Sequence, residues 1–396
     1  MTSTPRAVLS AGQIIQVTIE KVAHGGHFIA RYEGAVIFVR HGLPGEVVDV
    51  AITSVGSSFN RGDVVAVIQA SPDRVEAPCR YANRNGCGGC DFQHVEISAQ
   101  RKLKEDVITE QFARIAKMDI RVEVEEVSPS LGWRTQAIIG SDKQGRAGFY
   151  VSRTNTIMAI DDCLVLHPAI DYPTLKSQSW LPGARIQVST ATDGSTRLVA
   201  GEITQGHQIQ NYTVNGKSYQ VSPDSFWQSN VNAPKVLADC VSEFADVRAG
   251  DHVLDLYGGV GLFALQLLEK IGAGGHIDLV EGSKSATADA AINFAGSAQV
   301  KIYTGDVEKI LPRFSHADIV ILDPPRDGAK KSVISSLVAC NPRAIIYVAC
   351  DPAALARDSA LLRDANYTLE KIRAFDLFPM THHIECVALF TPTEVS

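Results

Sequence analysis

The chain has 396 residues, which exceeds the size of one ordinary domain and predicts two or three. Hydrophobic residues make up 45% of it and charged residues 20%, the balance of a soluble globular protein. No apolar run reaches membrane-spanning length and "MTSTPRAVLSAG" has no hydrophobic signal segment, so we expect a cytoplasmic protein that does not enter a membrane. The net charge of -7 gives no support to nucleic-acid binding by bulk charge, so such binding would need a local basic surface.

Residues 12 to 70 alternate short β-rich runs with glycine-containing turns, which predicts five strands in a small barrel of the OB type. Basic and aromatic side chains are interleaved along these runs: Lys21, Arg31, Arg40, Arg61, Phe28, Tyr32, Phe38 and Phe59. Barrels that bind single-stranded nucleic acid use this mixture, because bases stack on the rings beside a positive groove. The same mixture of side chains equally fits a barrel whose aromatic residues fill the core and whose arginines only make the surface soluble. We predict an OB-like domain over residues 1 to 72, in which these side chains serve either nucleic-acid binding or the core and the solubility of the barrel.

A cysteine-containing segment interrupts this alternation. Cys79, Cys87 and Cys90 form C-x7-C-x2-C in "CRYANRNGCGGCD", and Cys163 in "DDCLVL" is a candidate fourth ligand. We do not expect a disulfide framework, because the eight cysteines occur in a chain without an export signal. Four thiolates suit a structural zinc ion as well as an iron–sulfur cluster. Short β-rich runs then return, so we predict a central β-rich domain over residues 73 to 225 that carries this ligand set.

The last part of the chain alternates strands with helices. The strands begin with "DHVLDLYGG" and continue through "HIDLVEG" and "ADIVILDPP" to "RAIIYVACD". This alternation predicts a mostly parallel sheet with helices on both faces and a ligand at the carboxyl ends of the strands. We therefore predict an α/β Rossmann-like domain over residues 226 to 396.

Acidic residues end three successive strands of this predicted sheet. Asp255 ends the first strand and precedes a glycine-rich turn that contains Gly258, where the backbone can approach a ligand closely. Glu281 ends the second strand and suits ribose hydroxyls, while Asp306 ends the third and suits an adenine amine. Because no G-x-G-x-x-G accompanies them, these residues favour S-adenosylmethionine over a dinucleotide.

Cys350 stands where the run "IIYV" ends and the helix "AALARDSALL" begins, with Asp351 as its predicted cap. An unpaired cysteine is often a small core residue. The alternative is a nucleophile, since a helix N-terminus stabilises a thiolate, although the charge of Asp351 opposes this. Asp323 ends a fourth strand in an Asp-Pro-Pro motif of the kind that holds a planar substrate near a methyl donor. Glu385 begins a late strand and, taken alone, fits an exposed strand-end carboxylate.

Six motifs occur in the order found in one known family: "FWQSN", "DLYGGVGLF", "LVEGS", "ILDPPRDG", "VACDP" and "THHIE". Through them the chain resembles the S-adenosylmethionine-dependent RNA uracil-5-methyltransferases, closely from about residue 226 onwards and more loosely throughout. Its strongest resemblance is to the 23S ribosomal RNA type, which has an N-terminal TRAM domain and an iron–sulfur cluster. The resemblance implies a class I methyltransferase fold, a TRAM domain that binds RNA, and a [4Fe–4S] cluster on the four cysteines named above.

The resemblance also implies a role for each matching residue. Cys350 would be the nucleophile that adds to C6 of uracil, and Glu385 the general base that removes the C5 proton. Six residues would bind the cofactor or line the uracil pocket: Gln228, Tyr257, Gly258, Glu281, Asp306 and Asp323. The family often has Phe-Cys-Gly at residues 257 to 259 and Ser-Cys-Asn-Pro at residues 349 to 352, where this chain has Tyr-Gly-Gly and Ala-Cys-Asp-Pro. Both departures keep the nucleophile and the glycine backbone.

Other functions fit part of the pattern. A cytosine-5 RNA methyltransferase uses the same adduct chemistry, but its cysteine usually follows the fourth strand, where this chain has Asp323. A TRAM-type RNA-binding or assembly factor would not need Cys350 and Glu385. A radical S-adenosylmethionine enzyme would need C-x3-C-x2-C, which the sequence lacks. We expect a monomer that methylates ribosomal RNA, with transfer RNA as the alternative substrate.

Overall fold

The N-terminal part of the computed structural model, which describes residues 8 to 394, is a closed barrel of five strands. The strands are β1 Ile14–Ala23, β2 His27–Tyr32, β3 Ala35–Arg40, β4 Val47–Ser54 and β5 Asn60–Gln69. Successive side chains of a strand point to opposite faces, so Ile15, Val17 and Ile19 of β1 fill the barrel. The predicted OB-like barrel is confirmed. Residues 1 to 7 of the predicted OB-like domain and residues 395 and 396 of the predicted C-terminal domain lie outside the described residues.

A helical segment joins the barrel to the rest of the molecule. Helix α1 spans Ile97–Gln111 and continues as one π-helical turn, Phe112–Ala116, before the short strand β6, Val124–Glu126. Leu103 and Val107 of α1 are buried in a hydrophobic core that also contains side chains of the barrel and of the C-terminal sheet. The barrel is therefore packed onto the C-terminal part of the chain through a continuous core.

The middle of the chain forms a six-stranded antiparallel sheet and a separate two-stranded hairpin. In chain order the elements are β7 Gln136–Ser141, β8 Ala147–Tyr150, β9 Ile157–Met158, α2 Tyr172–Ser177, β10 Arg185–Thr190, β11 Thr196–Ala200, β12 Ile203–Gly206, and the hairpin strands β13 Gln210–Val214 and β14 Lys217–Val221. Ile139, Ile186 and Leu198 lie in a separate small core on one face of the six-stranded sheet. This sheet positions the loops that carry the four candidate ligand cysteines.

The C-terminal part alternates strands and helices. The elements are α3 Ala233–Ala245, β15 His252–Leu256, α4 Leu262–Leu267, β16 His276–Glu281, α5 Lys284–Asn293, β17 Val300–Thr304, α6 Val307–Ile310 with a 3-10 turn Leu311–Arg313, β18 Ile319–Leu322, α7 Lys330–Ala339, β19 Ala344–Ala349, α8 Pro352–Asp364, β20 Tyr367–Asp376 and β21 Glu385–Pro392. The sheet order is β17, β16, β15, β18, β19, β21, β20 and β6.

The first five strands of that order are parallel, and β21 is antiparallel to β19. All residues of β19 are buried, as expected for a central strand covered by helices on both faces. The predicted α/β Rossmann-like fold is confirmed, and its carboxyl strand ends lie along one edge. None of the helices in residues 8 to 394 is long and apolar enough to cross a membrane.

The range predicted as a central domain, residues 73 to 225, contributes to more than one packed region. Strand β6 pairs with β20 at the edge of the C-terminal sheet. Tyr212 and Tyr219 of the β13–β14 hairpin contact Trp227 and lie in the core that includes α3 and α4. The boundaries at residues 72 and 225 stay predictions.

Candidate active site

A cavity of about 780 Å³ opens at the carboxyl ends of the central strands. It is lined by six of the residues for which the sequence predicts a catalytic or cofactor-binding role: Gln228, Tyr257, Glu281, Asp323, Cys350 and Glu385. Tyr257, Glu281, Asp323 and Cys350 lie at the carboxyl ends of parallel strands, which meet at one edge. Glu385 begins the antiparallel strand β21 beside them, and Gln228 lies in the segment before α3. This convergence makes the cavity the candidate active site.

Cys350 and Glu385 lie opposite each other at the ends of two neighbouring strands. Ala349 of β19 pairs with Cys386 of β21 in antiparallel register, so one further step places Cys350 across from Glu385. Strand β19 ends at Ala349 and Asp351 caps α8, as predicted, so Cys350 lies between the strand and the helix. Glu385 is buried, so the alternative of an exposed strand-end carboxylate is wrong.

Cys350 differs from the cysteines that we expected to serve only packing. Its side chain is half-buried and lines the cavity, whereas Cys240, Cys340 and Cys386 are buried in the cores. The thiol of Cys350 is therefore accessible to a molecule in the cavity. A role confined to core packing does not fit this position.

Burial raises the pKa of three acidic groups that line the cavity, Cys350, Glu385 and Asp323. It raises the pKa of the Cys350 thiol to about 12, and the carboxylates of Glu385 and Asp323 add to the effect. Burial and the charge of Asp323 raise the pKa of Glu385 well above its ordinary value. The pKa of Asp323 rises to about 7, because it is buried beside the Glu281 carboxylate. Arg326 acts in the opposite direction, since its positive charge lowers the pKa of both Cys350 and Glu385.

The glycine-rich turn after β15 forms the other side of the cavity. One carboxylate oxygen of Glu281, Oε2, accepts a hydrogen bond from the Gly259 N–H at 3.0 Å, and Oε1 accepts one from the Ser283 N–H at 2.7 Å. Gly259 has a φ of +56°, and a Cβ added there would meet no described atom within 4 Å. Gly261 has no such space, because a Cβ would lie 2.4 Å from the Phe294 ring. The turn thus leaves open room beside a fixed carboxylate.

Gly258 and Asp306 lie outside the set of described residues that line the cavity. A Cβ added to Gly258 would lie 2.7 Å from Leu279 Cγ, so this glycine serves close packing of the turn on β16. Asp306 caps α6 by accepting a hydrogen bond from the Glu308 N–H at 3.0 Å. Their predicted cofactor roles stay predictions, and the described contacts give each of them a structural role.

Asp255 is buried within β15 and is likewise not among the described lining residues. Its Oδ2 accepts a hydrogen bond from the Ala264 N–H at 3.1 Å, while Oδ1 is buried with no hydrogen-bond partner in the described part of the chain. Burial raises its pKa to about 7 against the opposing effect of the Ala264 hydrogen bond. The carboxyl group is therefore partly protonated at neutral pH.

Several residues that line the cavity escaped the sequence analysis: Trp133, Arg134, Phe226, Ser283 and Arg326. Phe226, Ser283 and Arg326 lie inside the quoted motifs, so those motifs could have indicated them. Trp133 and Arg134 precede β7, far from any motif, and only the fold brings them to the cavity.

The four predicted ligand cysteines meet on a second, smaller cavity. Cys79, Cys87, Cys90 and Cys163 all line it, although Cys163 is far from the others in sequence. Burial raises the pKa of Cys90 to about 12 and that of Cys163 to about 11. The Gly89 N–H donates a hydrogen bond to Cys87 Sγ at 3.4 Å. Thiol groups that are buried together and receive N–H donors form a donor set that fits a metal centre.

The described residues contain one further group of possible metal ligands, His252, His276 and Asp278, at the amino ends of β15 and β16. The two imidazole rings are stacked, with centroids 3.9 Å apart and planes at 18°. A metal ion binds an imidazole nitrogen close to the ring plane, so one ion cannot satisfy two stacked parallel rings. A hydrogen bond between His252 Nε2 and Asp278 Oδ2 at 2.8 Å accounts for the arrangement.

A basic cleft of about 460 Å³ adjoins the candidate active site. It lies between the barrel, the six-stranded sheet and the C-terminal part, and its lining includes Arg40, Arg134, Arg153 and His27. Tyr150 is exposed on its wall. Four residues line both the cleft and the active-site cavity: Gly88, Gly89, Arg134 and His383. The two spaces are therefore neighbours on one surface.

Two family models match the chain. Residues 9 to 65 match the TRAM domain, and residues 306 to 392 match the tRNA (uracil-5-)-methyltransferase family. The first match covers β1 to β4 and the first part of β5 in the closed barrel. The second covers the segment from the end of β17 to the end of β21, which includes Asp323, Cys350 and Glu385.

Curated relatives and a solved structure agree with these matches. A protein of Streptomyces avermitilis, named an uncharacterized RNA methyltransferase, is 38% identical over 96% of this chain and 99% of its own length. A protein of Corynebacterium efficiens with the same description is 34% identical over 99% of this chain and 98% of its own. The crystal structure of Pyrococcus abyssi tRNA (uracil-54, C5)-methyltransferase with S-adenosyl-L-homocysteine has a TM-score of 0.73 at 21% identity, and it covers 95% of this chain and 99% of that one.

The two chains share one fold over nearly their full length, since the match covers 95% of this chain at a TM-score of 0.73. The curated relatives are similar over nearly their entire length and are RNA methyltransferases by name. Together with the two domain matches, they establish that the chain is an enzyme of the TRAM-containing RNA (uracil-5-)-methyltransferase family.

Proposed function

We propose that this enzyme transfers a methyl group from S-adenosylmethionine to C5 of a specific uridine in RNA through a covalent adduct between Cys350 and uracil C6. The observation that carries the proposal is the placement of Cys350 opposite Glu385 on one cavity at the sheet edge. The reaction needs one thiolate and one carboxylate acting on the same ring, and these two side chains supply them.

The chemistry explains why both groups are needed. Uracil C5 is a poor nucleophile toward a sulfonium methyl group. When the Cys350 thiolate adds to C6, the C5–C6 double bond opens and its electrons become available at C5 as an enolate. After C5 has taken the methyl group, Glu385 removes the C5 proton, the C5–C6 double bond re-forms, and the thiolate leaves C6.

Burial opposes the ionisation of both reactive groups, because it raises the pKa of the Cys350 thiol and that of the Glu385 carboxyl group. Each must lose its proton to act, and the guanidinium of Arg326 favours the ionised form of both. We assign Arg326 to this electrostatic role. His383 also lines the cavity. Burial lowers its pKa to about 3, so the ring is neutral and is the alternative acceptor for the C5 proton.

S-adenosylmethionine would supply the methyl group as a sulfonium. Glu281 would accept hydrogen bonds from its ribose hydroxyls, since two backbone N–H groups already hold the carboxylate in place beside the open space at Gly259. Tyr257 and Gln228 would line the same pocket. Gly258 and Asp306 would support this pocket from behind the lining residues.

RNA would enter through the basic cleft. Arg134 and Arg153 would contact phosphates there, and the exposed ring of Tyr150 would stack on a base. A uridine inside a base stack hides its ring face, so the target must be extruded or presented in a loop before Cys350 can reach C6. The shared wall between cleft and cavity would let the backbone stay in the cleft while the uracil enters the cavity.

We propose 23S ribosomal RNA as the substrate, because the chain combines a TRAM domain with the four-cysteine set of that type. Transfer RNA is the second candidate. The observation that favours it is the name of the matched family and of the Pyrococcus abyssi enzyme, both of which specify tRNA.

Cys79, Cys87, Cys90 and Cys163 would hold a [4Fe–4S] cluster that ties their loops together. All four thiols line one small cavity, which fits a shared metal centre. Four thiolates suit a zinc ion as well, so the choice of a cluster rests on the resemblance to the 23S ribosomal RNA type.

The proposed substrate is tested by nucleoside mass spectrometry of separated ribosomal and transfer RNA from a strain that lacks this enzyme. We expect 5-methyluridine to be lost at one position of 23S ribosomal RNA and to return with the intact gene but not with Cys350→Ala. Loss from transfer RNA alone would establish the second candidate. Unchanged 5-methyluridine in both RNA classes would contradict the proposed function.

A further inference from the structure

The turn between β1 and β2 of the barrel reaches the loop that carries Cys350. His24 follows the last residue of β1, and its Nε2 donates a hydrogen bond to Asp351 Oδ2 at 2.9 Å. Asp351 is the residue directly after Cys350. A side chain of the TRAM domain therefore contacts the immediate chain neighbour of the proposed nucleophile.

Both carboxylate oxygens of Asp351 have partners, and they come from different parts of the molecule. Oδ1 accepts hydrogen bonds from the N–H groups of Ala353 at 3.0 Å and Ala354 at 2.8 Å, which caps α8. Oδ2 faces His24. Helix α8 thus fixes one oxygen of the Asp351 carboxylate and the barrel fixes the other. The backbone at Cys350 therefore lies between β19 and a residue that is held from two sides.

The same turn also contacts the loop before Glu385. Gly26 has a φ of +73°, and a Cβ there would lie 3.0 Å from His382 Nδ1, so the backbone packs directly on that ring. His382 Nδ1 lies 2.6 Å from Asp91 Oδ2, and Asp91 Oδ1 accepts a hydrogen bond from Arg40 of β3 at 2.5 Å. The barrel therefore holds the segments of both proposed reactive groups through separate contacts.

We propose that His24 is a positioning residue that couples the TRAM barrel to the nucleophile, by holding Asp351 and offsetting its negative charge beside Cys350. This inference rests on the proposed function, which makes Cys350 the nucleophile. It gives the barrel a part in the chemical step, in addition to the RNA binding expected of a TRAM domain.

The electrostatics support this role. The negative charge of Asp351 is one of the influences that raise the pKa of Cys350, after burial and the carboxylates of Glu385 and Asp323. Burial would raise the pKa of Asp351, but the hydrogen bond and charge of His24, together with the capping N–H groups, bring it below its ordinary value. Asp351 is thus kept ionised, and His24 is the side chain that limits the effect of that charge on the thiol.

The contact is suited to a clean test, because its loss leaves the fold intact. Side chains of His24 and Asp351 are 39% and 23% exposed, and pairs this open to solvent contribute little to stability. Lys21 offers a matched control on β1, the strand that precedes His24. Its Nζ lies 2.7 Å from Glu110 Oε1, so Lys21→Ala removes a contact between barrel and α1 without touching either reactive loop.

The first measurement is the alkylation rate of Cys350 by iodoacetamide, followed by peptide mass spectrometry without RNA or S-adenosylmethionine. We expect His24→Ala to slow alkylation by about threefold, the size expected for one partly exposed charge contact, and Lys21→Ala to leave it unchanged. Asp351→Asn in the His24→Ala background should restore the rate, because asparagine still caps α8 and carries no charge. An unchanged rate in His24→Ala, or an equal fall in Lys21→Ala, would overturn the proposal.

The second measurement is methylation kinetics. A positioning role predicts that His24→Ala lowers kcat by about threefold or more while KM for RNA stays within about twofold. A rise in KM with unchanged kcat would show that His24 serves RNA binding and would overturn the coupling. The alkylation result is independent of the reaction, so a slowed Cys350 in a protein that methylates no RNA would contradict the proposed function and leave the positioning role standing.

Discussion

Lys104 of α1 and Asp376 at the end of β20 form an ion pair in which both side chains are buried. The distance from Nζ to Oδ1 is 2.5 Å, and the exposed fractions are 1% and 2%. Lys104 also donates a hydrogen bond to the Phe378 carbonyl oxygen at 3.2 Å. Phe378 lines the active-site cavity, so this pair anchors the segment that leads to Glu385.

We predict that Lys104→Met destabilises the protein by about 3–5 kcal/mol, because it leaves the Asp376 carboxylate buried without a cation. Urea unfolding measures the change. Adding Asp376→Leu to that variant removes the unpaired charge and should recover more than half of the loss. A double variant as unstable as Lys104→Met alone would show that the penalty comes from lost packing and not from the charge.

A pH-dependent stability is expected from Asp255. Its pKa is raised to about 7 in the folded chain, so between pH 5 and pH 7 the unfolded chain has lost this proton while the folded chain keeps it. Stability from this group is therefore present at low pH and is lost as pH rises to about 7. Asp255→Asn resembles the protonated acid and removes the dependence. Its free energy of unfolding, relative to the natural chain, should increase by about 2–3 kcal/mol from pH 5 to pH 7.5.

Chemical unfolding of both chains without S-adenosylmethionine at the two pH values checks this prediction. A difference between Asp255→Asn and the natural chain that does not change with pH would contradict the raised pKa.

The sequence predicted the parts of the fold that depend on local pattern. Alternation along β1 and the apolar run of β19 predict strands, and the acidic or cysteine residues at strand ends predict one ligand edge, as found for Glu281, Asp323 and Cys350. Two of the predicted strand ends are exceptions. Asp255 lies within β15 and is not among the described lining residues. Asp306 lies beyond β17 and caps α6, because a short polar side chain can satisfy helix N–H groups.

Long-range contacts could not be predicted in this way. Trp133 reaches the cavity only because its loop packs between sheets that are far apart in sequence. The contact between His24 and Asp351 joins two residues whose motifs are unrelated, and it forms because the barrel and the C-terminal sheet share one core. Periodicity and spacing describe neighbours along the chain, so they do not predict contacts between residues that are distant in sequence.

The cysteine set leads to a prediction about metal content. Cys163→Ser should lose most of the iron and acid-labile sulfide that anaerobically purified natural protein contains, because the cavity would keep only three of its four thiols. Cys340→Ala is the control, since Cys340 is buried near α7 and does not line this cavity. Stoichiometric zinc without sulfide in the natural protein would replace the proposed cluster with a zinc site.

The basic cleft predicts a salt-dependent contribution to RNA affinity. Arg153→Ala should weaken binding and reduce the slope of log affinity against log salt by about one contact, because it removes one phosphate partner. Arg248 is a matched control, as it is exposed and lies outside the described cleft lining. Filter binding at several salt concentrations distinguishes the two. Equal slopes for Arg153→Ala, Arg248→Ala and the natural chain would contradict an RNA path through the cleft.

The central claim is that Cys350 is the nucleophile and Glu385 is the general base. Cys350→Ala should form neither adduct nor product, since addition at C6 cannot begin. Glu385→Gln should permit addition and methyl transfer, which do not need the C5 proton to leave, and should then stall before elimination. Methylated RNA would remain attached to Cys350.

The most direct measurement is a denaturing gel of each variant after incubation with RNA and radiolabelled S-adenosylmethionine, with the attachment site mapped by mass spectrometry. The account predicts a slow, labelled band for Glu385→Gln, joined through Cys350, and no such band for Cys350→Ala. Normal turnover by Glu385→Gln without a trapped adduct would give the base role to another group, with His383 the candidate on the cavity wall. An adduct mapped to a different cysteine would contradict the account.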